Sequence, residues 1–65
     1  MESKEEFKLA VIGMTVEDAN RFSKSFGVRV LTVDGWDCYG TGPSSPDLLD
    51  VHLKNDRIWF VEDFG

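Results

Sequence analysis

Hydrophobic and polar residues alternate along two stretches of the chain, and this two-residue period is typical of β-strands with one buried face. The alternation predicts strands over residues 7–12 and 49–54, and a short apolar run predicts a last strand over residues 58–61. A fourth stretch, residues 28–33, is rich in β-branched side chains and is apolar at both parities. That composition predicts a strand at the centre of a sheet.

Between the first strand and the central one, apolar residues recur at helical spacing. Gly13 interrupts the first strand, and Thr15 is a typical helix N-cap, because its hydroxyl can accept from a free backbone amide of the first turn. The predicted apolar face consists of Val16, Ala19, Phe22 and Phe26. Gly27 is expected to end the helix as its C′ residue, so we predict a helix over residues 16–26.

The elements follow one another in the order β-α-β-loop-β-β, which predicts the α+β class with one helix packed on a small mixed β-sheet. The strands at 28–33 and 49–54 are expected to run parallel, with the irregular segment 36–46 between them. Asp34-Gly35 and Asn55-Asp56 predict tight turns. In the last strand, Ile58 and Phe60 are expected to share one face. Residues 1–6 are polar and charged, and we expect a flexible N-terminus there.

The composition fits a single domain that spans residues 1–65. A domain of this size buries only about 60% of its unfolded surface, which leaves little room for a deep cleft beside the core. The net charge of −5 disfavours direct binding of nucleic acid through its phosphates. No apolar run reaches the length of a membrane span, and Cys38 has no second cysteine to pair with. We therefore expect a cytoplasmic protein without a membrane partner.

Few residues suggest catalysis or metal binding. His52 and Asp50 lie two residues apart on one predicted strand face, which could suit acid–base chemistry, but a solvated strand face is the favoured interpretation. Cys38 together with Asp37 and His52 offers too few ligands for a tetrahedral metal site. The acidic residues around the irregular segment are Asp34, Asp37, Asp47 and Asp50. They lack the spacing of a calcium loop. We predict no enzyme, no cofactor and no small-molecule substrate.

Several motifs, taken in order, resemble the potato inhibitor I family of serine protease inhibitors and the bacterial I78 inhibitors. V-I-G-M-T-V-E-D-A-N-R-F at residues 11–22 is similar to the family's opening and helix. V-R-V-L-T-V-D-G at 28–35 resembles the strand that leads into the inhibitory loop. D-L-L-D-V-H-L at 47–53 and D-R-I-W-F-V at 56–61 resemble the two strands that follow it. The resemblance implies a potato inhibitor I-like fold and a protease as the partner.

The resemblance also implies a binding loop. Counted back from Val51 without gaps, Thr41 falls on the family's Thr, Gly42 on the specificity residue and Pro43 just after the scissile bond. The whole implied loop consists of Thr41, Gly42, Pro43, Ser44, Ser45 and Pro46. Pro43 replaces the usual acidic residue and Leu48 replaces the usual supporting Arg, so a hydrogen bond that braces the loop is missing.

Two hypotheses about function follow, and both require another protein as the partner. In the first, the chain is a serine protease inhibitor-like domain that binds through the loop at residues 41–46. In the second, an acidic and aromatic surface blocks some other enzyme, as small phage-type inhibitors of host enzymes or defence systems do. Trp36, Asp37 and Tyr39 are the candidate contacts for this second mode, because aromatic residues are enriched at binding hot spots.

Overall fold

A computed structural model describes residues 3–38 and 45–65 of the chain. Within them, two helices precede four strands. Their bounds are α1 Lys4–Ala10, α2 Val16–Phe22, β1 Gly27–Val33, β2 Trp36–Asp37, β3 Leu48–Lys54 and β4 Arg57–Phe64. The strands form one mixed sheet in the order β2-β1-β3-β4. The α+β class is confirmed, and β1 and β3 pair in parallel as predicted.

The segment predicted as the first strand is the helix α1, so that prediction was wrong. Ser3 is its N-cap, with Oγ accepting from Glu6 N at 3.2 Å. Phe7 and Val11 are four residues apart, and both are fully buried, whereas Leu9 between them is 74% exposed. The alternating apolar residues therefore also contained a helical i, i+4 pair, and the cap selected the helix. This helix takes in residues 4–6 of the predicted flexible N-terminus.

Helix α2 begins where the sequence predicts, because Thr15 Oγ1 accepts from Asp18 N at 3.2 Å. It ends at Phe22 instead of continuing to residue 26. Ser23 takes an extended conformation, and its hydroxyl accepts from the amides of Ser25 and Phe26 at 3.0 and 3.2 Å. This local side-chain bonding replaces the next helical turn. The prediction of Gly27 as the helix C′ residue was therefore wrong.

Gly27 instead begins β1, where neighbouring groups approach it closely. Its amide donates to Asp47 O at 3.0 Å, at the start of the parallel ladder with β3. A Cβ at this position would lie 3.1 Å from Asn20 Oδ1 and 3.2 Å from Leu48 Cδ2. The same Asn20 oxygen accepts from Val28 N at 3.0 Å, so α2 is bonded directly to the beginning of β1.

Both predicted turns are present and lie side by side at one end of the sheet. Asp34, Gly35, Asn55 and Asp56 all have positive φ values, as tight hairpin turns require. The Asp34 carboxylate accepts from Asn55 N at 2.9 Å, and Asp34 N donates to Leu53 O at 2.9 Å. The first turn reverses the chain into β2, which pairs with the end of β1 and was not predicted because it is only two residues long.

Strand β4 departs from simple alternation at two irregularities in its pairing with β3. His52 pairs with Phe60, and the next residue on β3, Leu53, pairs with Ile58. An advance of one residue along β3 therefore corresponds to two residues along β4. Ile58 is consequently buried while Phe60 lies opposite His52 on the outer face. The expectation that Ile58 and Phe60 share a face was wrong, because a β-bulge inserts an extra residue and shifts every later side chain.

The outer edge of β4 is bonded at one point to the segment between the two helices. Gly13 N donates to Ile58 O at 2.7 Å, and Ile58 N donates to Met14 O at 2.8 Å. Arg57 Nη1 also donates to Gly13 O at 3.0 Å. Gly13 has a φ of +94°, a conformation that side-chain-bearing residues rarely adopt. The segment thus acts as a short extra partner for the edge strand.

The core lies between the helices and one face of the sheet. Its buried residues are Phe7, Val11, Ala19, Leu49, Val51, Leu53 and Ile58. The Phe7 ring contacts Phe22, Phe26 and Phe64, with ring centroids 6.2, 5.6 and 6.0 Å away. Neither helix in the described part of the chain is long and apolar enough to cross a membrane.

The helical conformation of α1 can be tested with a matched pair of substitutions. Phe7→Ala should lower the free energy of unfolding by about 3 kcal/mol or more, because it empties the centre of the core. Leu9→Ala should change it by less than about 0.5 kcal/mol, because Leu9 points to solvent. Urea denaturation followed by tryptophan fluorescence measures both. Comparable losses at the two positions would mean that they share a buried strand face.

Candidate functional site

The predicted binding loop lies partly outside the described residues. Thr41, Gly42, Pro43 and Ser44 fall in the segment 39–44, as does the candidate contact Tyr39, and their positions are not described. Ser45 and Pro46 are described and precede β3. The structure therefore defines the frame of the loop, which consists of the chain that enters it and the chain that leaves it.

The entry to the loop is the edge strand β2. Trp36 is 79% exposed, and Asp37 is exposed beside it. The chain then stays bonded to the sheet, because Cys38 N donates to Leu31 O of β1 at 2.8 Å. Cys38 itself is a free, half-buried thiol. Two of the three candidate aromatic and acidic contacts thus lie on the surface immediately before the loop.

The exit from the loop is a turn stabilised by Ser45. Leu48 N donates to Ser45 O at 3.0 Å, and Asp47 N donates to Ser45 Oγ at 3.3 Å. The next bond runs from Gly27 N to Asp47 O, at the start of β1. The two ends of the loop are therefore bonded to residues 31 and 27 of the same strand, which are about 13 Å apart at the usual rise per residue.

An ion pair fixes the two strands that carry the loop. Arg29 of β1 and Asp50 of β3 are paired in register, and Arg29 Nε donates to Asp50 Oδ1 at 2.8 Å. Both side chains are mostly buried. A charge-assisted hydrogen bond in such partial burial is stronger than an exposed pair, since solvent screens it less. The bond therefore helps to hold β1 and β3 in their relative register.

His52 does not meet Asp50, although the two share a strand face as predicted. His52 Nδ1 lies 2.8 Å from Thr32 Oγ1, and His52 Nε2 lies 2.5 Å from Glu62 Oε2. A carboxylate only accepts, so Nε2 donates to Glu62. Sequence reasoning missed both Thr32 and Glu62, because their positions opposite His52 depend on strand register and on the bulges in β4.

The structure gives no support to a metal site among the described residues. No three His, Cys, Asp or Glu side chains within residues 3–38 and 45–65 are grouped so as to hold an ion. Of the four aspartates around the loop, Asp50 pairs with Arg29 and Asp34 accepts from the amide of Asn55. These two carboxylates stabilise the sheet itself.

Two further exposed aromatic residues lie on β4. Trp59 is 57% exposed and Phe60 is 49% exposed, and their ring centroids are 5.7 Å apart. The expectation that Phe60 shares a face with Ile58 would have placed its ring on the buried face. The bulge leaves both at the surface.

Compared with known proteins, the chain matches no family model, no curated protein and no solved structure. The resemblance to the serine protease inhibitors consequently contributes only to the proposal below.

The contribution of the Arg29–Asp50 pair can be measured with a double-mutant cycle. Asp50→Ala should lower the free energy of unfolding by about 1–3 kcal/mol, because it leaves a mostly buried guanidinium unpaired. The double variant Arg29→Met with Asp50→Ala should recover part of that loss. The control pair is Glu17 and Arg21, an exposed i, i+4 pair on α2, where Glu17→Ala should cost less than about 0.5 kcal/mol. Equal effects at the two pairs would contradict a stabilising role for Arg29–Asp50.

Proposed function

We propose that this chain binds another protein stoichiometrically and inhibits it. In this proposal the loop between β2 and β3 enters the partner's cleft. The proposed partner is a serine protease, as the resemblance in the sequence implies. The chain has no catalytic role in this proposal and requires no cofactor, nucleic acid, membrane or small-molecule substrate. Its expected location is the cytoplasm, on the ground that a lone cysteine suits a reducing compartment.

The observation that carries the proposal is that both ends of the loop are bonded to the central part of the sheet. Cys38 is bonded to Leu31 on the entry side, and Asp47 is bonded to Gly27 on the exit side. Strands β1 and β3, next to these attachment points, are parallel neighbours that are joined by the Arg29–Asp50 ion pair. A loop anchored at both ends loses less conformational entropy when it binds than a free segment does.

The order of elements around the loop also supports the proposal. Helix α2, strand β1, the loop, strand β3 and the antiparallel strand β4 follow one another in the order that the resemblance implies. The N-terminal helix α1 replaces the strand expected there. In the proposed mode, Thr41 and Gly42 occupy the partner's cleft. Gly42 offers no side chain to a specificity pocket, and for this reason the natural partner would be a protease with a restricted pocket.

The proposal can be tested by restoring the family's pattern in the loop. Gly42→Leu with Pro43→Asp should create or strengthen inhibition of a subtilisin-like or chymotrypsin-like protease. The leucine supplies a side chain for the specificity pocket, and the aspartate supplies the missing acceptor that braces the loop. The measurement is the inhibition constant against a chromogenic peptide substrate, with mass spectrometry of the protein after incubation.

A matched control is Lys24→Leu, at an exposed position between α2 and β1, which should leave inhibition at the level of the unmodified chain. A double variant that stays inactive and is cut within residues 41–44 would show that the loop is not held in substrate-like form.

A second candidate function is favoured by the exposed aromatic residues. Trp36 is 79% exposed on the edge strand, next to the exposed Asp37. Isolated exposure of so large a ring has no stabilising role, whereas tryptophan is among the residues most enriched at the centres of interfaces. We therefore propose as the alternative that an acidic and aromatic surface, including Tyr39, binds an enzyme that is not a protease, in the manner of phage-type inhibitors.

Substitutions on either side of Cys38 separate the two proposals, once pull-down and mass spectrometry have supplied a partner. Under the alternative, Trp36→Ala or Tyr39→Ala should weaken binding by about 2 kcal/mol or more, and Thr41→Ala should have little effect. Asp37→Asn should mainly slow association and reduce its dependence on salt. Titration calorimetry and stopped-flow kinetics measure these effects. Normal binding by a folded Trp36→Ala variant, together with loss of binding by Thr41→Ala, would favour the protease inhibitor.

A further inference from the structure

The face of the sheet opposite the helices carries its own set of ordered side chains. The buried residues of α1, α2 and the strands lie on the other face, where they form the core. On the outer face, register places Asp37, Thr32, His52 and Phe60 in one row across the four strands. No described helix covers this row. Asp37 and Phe60 at its two ends are exposed, whereas Thr32 and His52 between them are half-buried.

The aromatic part of this face is Phe60 with its two neighbours. The Phe60 ring lies 5.5 Å from the His52 ring and 5.7 Å from the Trp59 ring, measured between centroids. Phe60 and Trp59 are each about half exposed. Both rings therefore offer an accessible π surface, which attracts cations through its quadrupole.

A carboxylate is held next to these rings. Glu62 Oε2 accepts from His52 Nε2, and His52 is fixed in turn by Thr32. The Glu62 side chain is still half exposed, and its Oε1 makes no hydrogen bond to the described residues. One oxygen thus orients the carboxylate, and about half of the side chain stays exposed. We call Trp59, Phe60, Glu62 and His52 the Phe60 patch.

The charge on this face is complementary to a cation. Arg29 is neutralised by Asp50, and Asp37 adds an exposed carboxylate at the other end of the row. The exposed basic residues Lys54 and Arg57 pair with each other beside the turn between β3 and β4, at the end of the face beyond His52. The Arg57 guanidinium donates to Gly13 O at the outer edge of the sheet. The acidic and aromatic groups therefore prevail around Phe60, in keeping with the net charge of −5.

We propose that the Phe60 patch binds an arginine side chain of a partner protein. A guanidinium is planar and weakly hydrated, so it stacks on an aromatic ring while its N–H groups reach a carboxylate. A lysine ammonium has the same charge but no flat surface to stack. None of the four residues of the patch belongs to the loop between β2 and β3, so the proposal does not depend on whether the loop enters a protease.

The proposal is tested by titrating the isotope-labelled full chain with three short peptides at low salt. The peptides are acetyl-Gly-Arg-Gly-Arg-Gly-amide and its counterparts with lysine or glutamate in place of arginine. The arginine peptide should produce saturable NMR shifts confined to the Trp59 indole and the backbone amides of residues 52 and 59–62. The lysine peptide should bind at least about threefold more weakly, and the glutamate peptide should not bind.

Three variants identify the contacts. Phe60→Leu keeps an apolar side chain but removes the ring, and Glu62→Gln keeps the size but removes the charge. Each should weaken binding of the arginine peptide at least about threefold. Glu17→Gln on α2, another exposed acidic residue paired with a base, is the matched control and should bind normally.

Equal affinity for the arginine and lysine peptides, or undiminished binding by Phe60→Leu, would overturn the proposal. Shifts centred outside the Phe60 patch, or no shift at all, would overturn it as well. Shifts of the same residues on raising the concentration of the protein alone would mean that a second copy of the chain occupies the patch, and the proposal would then be wrong.

Discussion

Burial of the Phe7 ring is the contact on which the rest of the fold depends. The ring touches Phe22 at the end of α2, Phe26 before β1 and Phe64 at the end of β4. One side chain thus joins the start of the chain, its middle and its last strand. In a domain of 65 residues the core is too small to offer many such contacts, so each carries a large share of the stability. Helix α1 is therefore an integral part of the domain.

Because β1 and β3 pair in parallel, the stable sheet carries a long connecting segment between these two strands. Parallel neighbours cannot be joined by a tight turn, so the chain between them must travel back along the sheet. Here it does so through the hairpin to β2 and then through residues 38–47. A short chain that needs a connection of this length for topological reasons also acquires a loop whose two ends are bonded to the sheet. Both proposals for function use that connection, either through its middle or through its aromatic entry.

The sequence predicted the elements whose signals are local. Thr15 caps α2, the Asp34-Gly35 and Asn55-Asp56 turns have the required positive φ values, and β3 alternates without interruption. The failures lie where two local patterns competed or where the answer depended on distant contacts. Residues 7–11 satisfied both a strand period and a helical pair, and the Ser3 cap decided between them. The bulges of β4 have no local signature.

The bulges decide which side chains of β4 lie on the outer face. The set of residues on that face could therefore not be predicted from the sequence. The sequence suggested only Asp50 as an acidic neighbour of His52, because only separation along the strand was known. In the structure, Asp50 instead pairs with Arg29, and His52 hydrogen-bonds to Thr32 and Glu62. Predicting such partners from one sequence would require the pairing of every strand to the exact residue, since a shift of one residue moves a side chain to the other face.

The attachment of residues 13–14 to Ile58 has a consequence for the behaviour of the protein at high concentration. Strand β4 is an edge strand, and an uncovered edge invites pairing with another molecule and eventually aggregation. The bonds from Gly13 and Met14 occupy that edge at Ile58, the two irregularities twist the remainder, and Glu62 and Asp63 add charge there. The interhelical connection, which has no part in either proposed binding mode, thereby helps to keep the chains apart from one another.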